Sequence, residues 1–157
     1  MIQRALAETG TGRAGLGGDG PGPEVAIRVV GALLALAVTA VHVADQGGVS
    51  AFNSPDWIGW GYRLIEVGGL LTALVLLLPR SAWLGWAAGL VLGAGPFLAY
   101  LASRTVGVPG DPGDVGNWGY WVGTVSLFIE AALIVLSVGM LLASRRQPAP
   151  VAILTNA

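Results

Sequence analysis

Two glutamates lie where a carboxylate is costly to keep. Glu66 follows Trp57 by nine residues and Glu130 follows Trp121 by nine, each inside a long apolar run. At 1.5 Å per residue, nine residues span about 13 Å, which takes each carboxyl from a membrane interface to near the bilayer centre. Charge at that depth costs at least ~2.5 kcal/mol per residue, so it turns inward and finds a partner. His42, Arg63 and Arg104 join them as charged or titratable residues within or at the ends of the apolar runs, while Arg28 lies close enough to the end of its run to snorkel.

This set permits two kinds of chemistry. Arg63 and Glu66 are three apart on one helix face and can pair locally. Glu130 has no opposite charge on its own helix, so it must reach Arg63, Arg104 or His42, or carry a proton. If both arginines meet both glutamates, the interior is a neutral network that staples the helices together. If a glutamate is left over, the pair can share a proton or hold a cation, with His42 as relay or ligand near the mouth. His42, Glu66 and Glu130 are the only metal-ligand candidates, and a weak set. Asp45, Asp56, Asp111 and Asp114 lie in the polar connections. The Gly110–Asn117 loop spaces its oxygens every third residue, unlike an EF-hand, and Asp-Pro-Gly and Gly-Asn read as turns.

Other chemistry is hard to find. There is no cysteine, no Gly-x-Ser-x-Gly, no His-Glu-x-x-His and no phosphate-cradling glycine loop. No cofactor is expected. A net charge of −1 gives no reason to expect nucleic acid.

The elements that position these residues follow from composition. The 157 residues are 54% hydrophobic and 11% charged, against about 25% charged in soluble domains. Four stretches reach the roughly 20 apolar residues that cross a bilayer: 25–44, 57–78, 82–103 and 118–143. The expected fold is therefore all-α, a four-helix transmembrane bundle occupying residues 25–146. Residues 1–24, rich in glycine, read as a disordered tail, and residues 147–157 as a second one. Val38-Thr39-Ala40 has the form of a signal-peptidase site, but the long polar leader and Arg28 inside the apolar run argue against cleavage.

Every basic residue is arginine, and Arg28, Arg80, Arg145 and Arg146 flank the spans on one side, with Arg4 and Arg13 in the tail. The opposite connections carry the four aspartates. Both termini are thus expected in the cytoplasm of a multi-pass cell-membrane protein. Trp57, Trp60, Tyr62, Trp118, Tyr120 and Trp121 would form an outer aromatic belt, and Trp83 and Trp86 an inner one.

Small residues mark the inward faces. Gly31, Ala35 and Thr39 lead to His42. Gly123 and Ser126 precede Glu130, and Ser137 follows it. Gly85, Gly89 and Gly93 form a double small-xxx-small stripe, suited to internal packing or to pairing with itself or another membrane protein. Pro96 should kink the helix beyond the stripe. Setting Trp57 on Trp121 aligns Trp-Ile-Gly with Trp-Val-Gly and Ile65-Glu66 with Ile129-Glu130. The two helical hairpins therefore read as a weak repeat about an axis along the membrane normal.

The stretch Ser103-Arg104-Thr105-Val106-Gly107-Val108-Pro109-Gly110, with Gly116-Asn117-Trp118 and Ser126-Leu127-Phe128-Ile129-Glu130, resembles a family of uncharacterised four-helix bacterial membrane proteins. Their third helix ends in Ser-Arg-Thr-x-Gly-x-Pro-Gly and their fourth carries a mid-helix glutamate. The resemblance covers the last two helices, singles out Arg104 and Glu130, and implies no activity. The first functional expectation is an accessory or structural membrane subunit. The alternative is a small proton- or cation-coupled transporter, or an ion-binding protein, with a polar site open to the outer face.

Overall fold

A computed structural model describes residues 22–146, and the expectations of disorder for the two tails fall almost wholly outside that range. Four helices fill it: α1, Pro23–Asp45; α2, Asp56–Leu77; α3, Ala82–Thr105; and α4, Trp121–Arg145. All four are long and apolar enough to cross a membrane. At 22 to 25 residues each is about 33–38 Å long, against a hydrocarbon core of about 30 Å.

The boundaries differ from the sequence expectation by a few residues, each for a local reason. α1 starts at Pro23 because proline is pre-set for a first helical position, and Glu24 adds a carboxylate to the first turn. Pro79 forces Leu78 into extended backbone, so α2 ends at Leu77. A single 3-10 turn at Pro79–Ser81 then leads into α3. α4 begins at Trp121 rather than Trp118, with Tyr120 extended before it. α3 runs through Arg104 to Thr105.

Consecutive helices are antiparallel neighbours, and α1 also packs against α4 to close the bundle. Arg28, Arg80, Arg145 and Arg146 consequently share one end, the arginine end. The two longer connections share the other, the loop end. The outer surface is apolar: Leu64, Val91, Phe128 and Val135 are each more than 70% exposed. The interior holds Ala32, Ala35, Val38, Ala73, Leu76, Trp86, Leu92 and Leu133 as its apolar core, beside buried His42, Glu66, Arg104, Ser126 and Glu130. Apolar side chains outward, with the buried polar groups gathered inside, is the distribution consistent with helices in lipid.

Close helix approach depends on glycine. A Cβ on Gly69 would lie 2.8 Å from the Ala35 carbonyl oxygen and closer still to the Thr39 hydroxyl, so α1 and α2 meet there backbone to side chain. On α3, Gly85 faces Leu76 of α2, Gly89 faces Leu133 and Ser137, and Gly93 faces Ile134 and the Glu130 carbonyl. The small-residue stripe is thus occupied within the chain. Trp86 is 3% exposed and covers Gly31, so it belongs to the core and not to an interfacial belt. Trp57, Trp60, Trp83, Trp118 and Trp121 are exposed.

Candidate functional site

The polar face of α4 is a run at helical spacing: Gly123, Ser126, Glu130, Leu133 and Ser137 are all buried. Glu130 is 1% exposed. Its Oε1 accepts a hydrogen bond from the Ser126 hydroxyl one turn earlier. Its Oε2 has no hydrogen-bond partner. The nearest basic side chain is His42, whose Nε2 lies 3.7 Å from Oε1. His42 is buried on α1, and its Nδ1 is 2.9 Å from the Val38 carbonyl oxygen. A carbonyl only accepts, so the Nδ1 proton is fixed there and Nε2 turns toward Glu130.

Glu66 is placed quite differently. Arg63 Nη1 donates to its Oε2 at 2.6 Å, and the Gln46 amide donates to its Oε1. Arg63 also donates to the Ala51 carbonyl at 2.5 Å, which ties the pair to the α1–α2 connection. Glu66 therefore has a charge partner and a second donor.

The expected neutral network of two arginines and two glutamates forms only in half. Arg104 pairs with Asp114 and not with Glu130. Its position on the last turn of α3 puts it at the loop end, far up the bundle from Glu130. The following loop folds back, with the Gly116 amide donating to the Arg104 carbonyl at 2.9 Å, and this delivers Asp114 to the guanidinium. Positive φ at Gly107, Gly110 and Gly116 permits that path. The loop is turn chemistry throughout, with a 3-10 turn at Pro112–Asp114.

Between these groups lies a cavity of about 540 Å³. Asn53, Ser54, Asp111, Asp114 and Asn117 line it at the loop end, and Ser126 and Glu130 lie deepest. His42, Asp45, Tyr62, Tyr100, Arg104 and Tyr120 form its walls. Pro96 also lines it. Room for the Tyr100 ring comes from Gly123, where a Cβ would overlap the ring.

Asp45 is the hub of the mouth. It accepts from the Tyr62 hydroxyl on one oxygen and from the Tyr120 hydroxyl, at 2.6 Å, on the other. Tyr62 and Tyr120 thus turn inward instead of joining an interfacial belt. The hydrogen bond to Asp45, with burial behind it, pushes the Tyr120 hydroxyl up to about 12, so it stays a neutral donor. Trp57 donates to the Pro109 carbonyl at 3.2 Å, linking α2 to the far loop. The Arg104 guanidinium lies 4.5 Å from the Tyr100 ring centre and 6.0 Å from that of Tyr120. Asp56 is exposed at the start of α2 and does not line the cavity.

Of the sequence candidates, the fold brings together His42, Glu130, Arg104, Asp45, Asp111 and Asp114. Arg63 and Glu66 form a separate pair. No group of three or more His, Asp or Glu side chains among the described residues is arranged to hold a metal ion. Sequence reasoning overlooked Gln46, Tyr100 and the tyrosine clamp on Asp45. Gln46 had one signal, its place beside Asp45 at the end of α1; Tyr100 and Tyr120 had none, since no aspartate shares their helix ends. No family model, curated protein or solved structure matches the chain.

Proposed function

We propose that this is a small multi-pass membrane protein that binds a proton or a monovalent cation at Glu130, through a cavity open at its loop end. The observation that carries the reading is the state of Glu130: fully buried, at the floor of a cavity, with one oxygen unpartnered, His42 as its one basic neighbour and no arginine paired with it. A bare buried carboxylate is costly, and that cost falls when a positive charge joins it. On the arginine distribution, the loop end faces outward and both termini face the cytoplasm. The host is then the cell membrane, and the cavity opens away from the cytoplasm.

The test is thermal unfolding in detergent, wild type beside Glu130→Gln, across pH and a panel of monovalent ions. Stabilisation of the wild type alone by an ion or a pH window supports the site. Equal responses in both proteins remove it. A second reading, an accessory subunit, draws on the Arg63–Glu66 and Arg104–Asp114 pairs, which staple helices and loops in the manner of a structural part. Co-purification of a stoichiometric partner would favour it.

A further inference from the structure

Resting on that reading, we infer that the cavity takes a monovalent organic ammonium ion in exchange for a single proton held between His42 and Glu130. The pair is neutral in only two ways. Either Glu130 carries the proton, or His42 carries it at Nε2 and faces the carboxylate at 3.7 Å. The Nδ1 position cannot take part, since its proton is committed to the Val38 carbonyl. Loss of the proton leaves a buried anion with one empty oxygen, and a single positive guest restores neutrality. The exchange balances: the ammonium enters beside the carboxylate, and the proton leaves the pair for the water at the loop end. Both cannot be bound at once.

The surroundings select the guest. From α1, His42 and Asp45 face the pair; from α2, Tyr62, with Arg63 and Glu66 just beyond; from α3, Tyr100 and Arg104; from the α3–α4 loop, Asp111, Asp114 and Tyr120. Arg104 and Asp114 cancel each other, Arg63 and Glu66 do the same, and Asp45 is satisfied by two hydroxyls. Asp111 has no side-chain partner but is half-exposed at the mouth, where water screens it; Glu130 is the buried carboxylate without a full charge partner. A bare divalent metal ion needs about six oxygens, and among the described residues no group of three His, Asp or Glu side chains is arranged to begin such a set. An ammonium ion needs one carboxylate and aromatic faces. The walls already seat one organic cation in that manner, the Arg104 guanidinium over Tyr100 and Tyr120. A volume of about 540 Å³ lies in the range of small-molecule sites, about 300–1,000 Å³.

The experiment is calorimetric titration of the full chain in detergent with tetraethylammonium chloride, in two buffers of different ionisation enthalpy, at several pH values. Sodium and a neutral branched alcohol are the controls. We expect about one proton released per ammonium bound, and affinity rising about tenfold per pH unit until the pair has lost its proton. Glu130→Gln should weaken binding more than tenfold. Leu127→Arg keeps the carboxylate but gives it an on-helix partner, and should do the same in a protein whose fold is checked by gel filtration. Binding without proton release overturns the exchange and leaves the ion site standing. Sodium in place of tetraethylammonium overturns the ligand class. Undiminished binding in both variants, or no binding of any ion, overturns this inference; the proposed function falls with it only if wild type and Glu130→Gln also unfold with the same pH dependence.

Discussion

The two halves of the bundle hold the same residue in opposite circumstances. In the first hairpin Glu66 has Arg63 three residues before it and Gln46 across from it. In the second, Glu130 has Leu127 at the matching position and a serine on one oxygen. Each helix also has a glycine seven residues before its glutamate that admits an aromatic ring, Phe52 at Gly59 and Tyr100 at Gly123. One arginine separates a satisfied carboxylate from an unsatisfied one. The difference teaches that a buried acid is read by what stands one turn away from it, and not by its depth.

Breaking the first hairpin should have the largest effect. Gly69→Ala drives a methyl group against the Ala35 carbonyl, which cannot yield as a side-chain tip can. A loss of about 3 kcal/mol is expected, read as an earlier unfolding midpoint in detergent. The matching insertion in the second hairpin, Gly123→Ala, meets a tyrosine ring that opens toward a cavity, and should cost less.

Removing charge partners comes next. Arg63→Leu leaves Glu66 as bare as Glu130, and the 25% exposure of the Arg63 side chain holds the loss to about 2 kcal/mol, below that of a fully buried pair. It should also give Glu66 a pH-dependent unfolding profile of its own. The double variant Arg63→Leu with Leu127→Arg should transfer the ion response from α4 to α2, and a response that stays on α4 would refute the comparison.

Glutamine scanning is a milder probe. Glu66→Gln strands Arg63 and should destabilise by about 1–3 kcal/mol, whereas Glu130→Gln replaces a buried carboxyl that has no arginine partner and should be close to neutral. The smallest effect belongs to Tyr120. Its folded value is raised from 10 to about 12, so its contribution is whole below pH 10 and fades as pH climbs through 12. Tyr120→Phe should remove that alkaline loss from a pH titration of unfolding.

Much of this was legible from residue order. Apolar runs of about 20 residues suit spanning helices and are about twice the length of a spanning strand, and short polar connections make successive helices antiparallel. The Arg63–Glu66 pair followed from a three-residue spacing on one helix. The partner of Arg104 did not. It depends on how the α3–α4 loop folds, and three glycines at positive φ decide that path. Trp86 was misassigned because an aromatic near a helix end suits either lipid or core. Gly31 on another helix, which makes its slot, is adjacent only after folding. Tyr62 and Tyr120 were misassigned for the same reason, since Asp45, which turns them inward, is far from both in sequence.

The tight end of the bundle bears on the cell as well as on the fold. At Gly85, Gly89 and Gly93 the glycine face of α3 lies close against Leu76, Leu133, Ser137 and Ile134, with Trp86 buried beside it, although an open groove separates the outer faces of α2 and α3. The cavity stops above this plug. In a membrane that holds a voltage, a wet channel reaching both faces would be a short circuit, draining the gradient that drives the cell. On the proposed reading the glycine-lined seam is the insulator, which would let an acidic residue sit at mid-depth without becoming a leak.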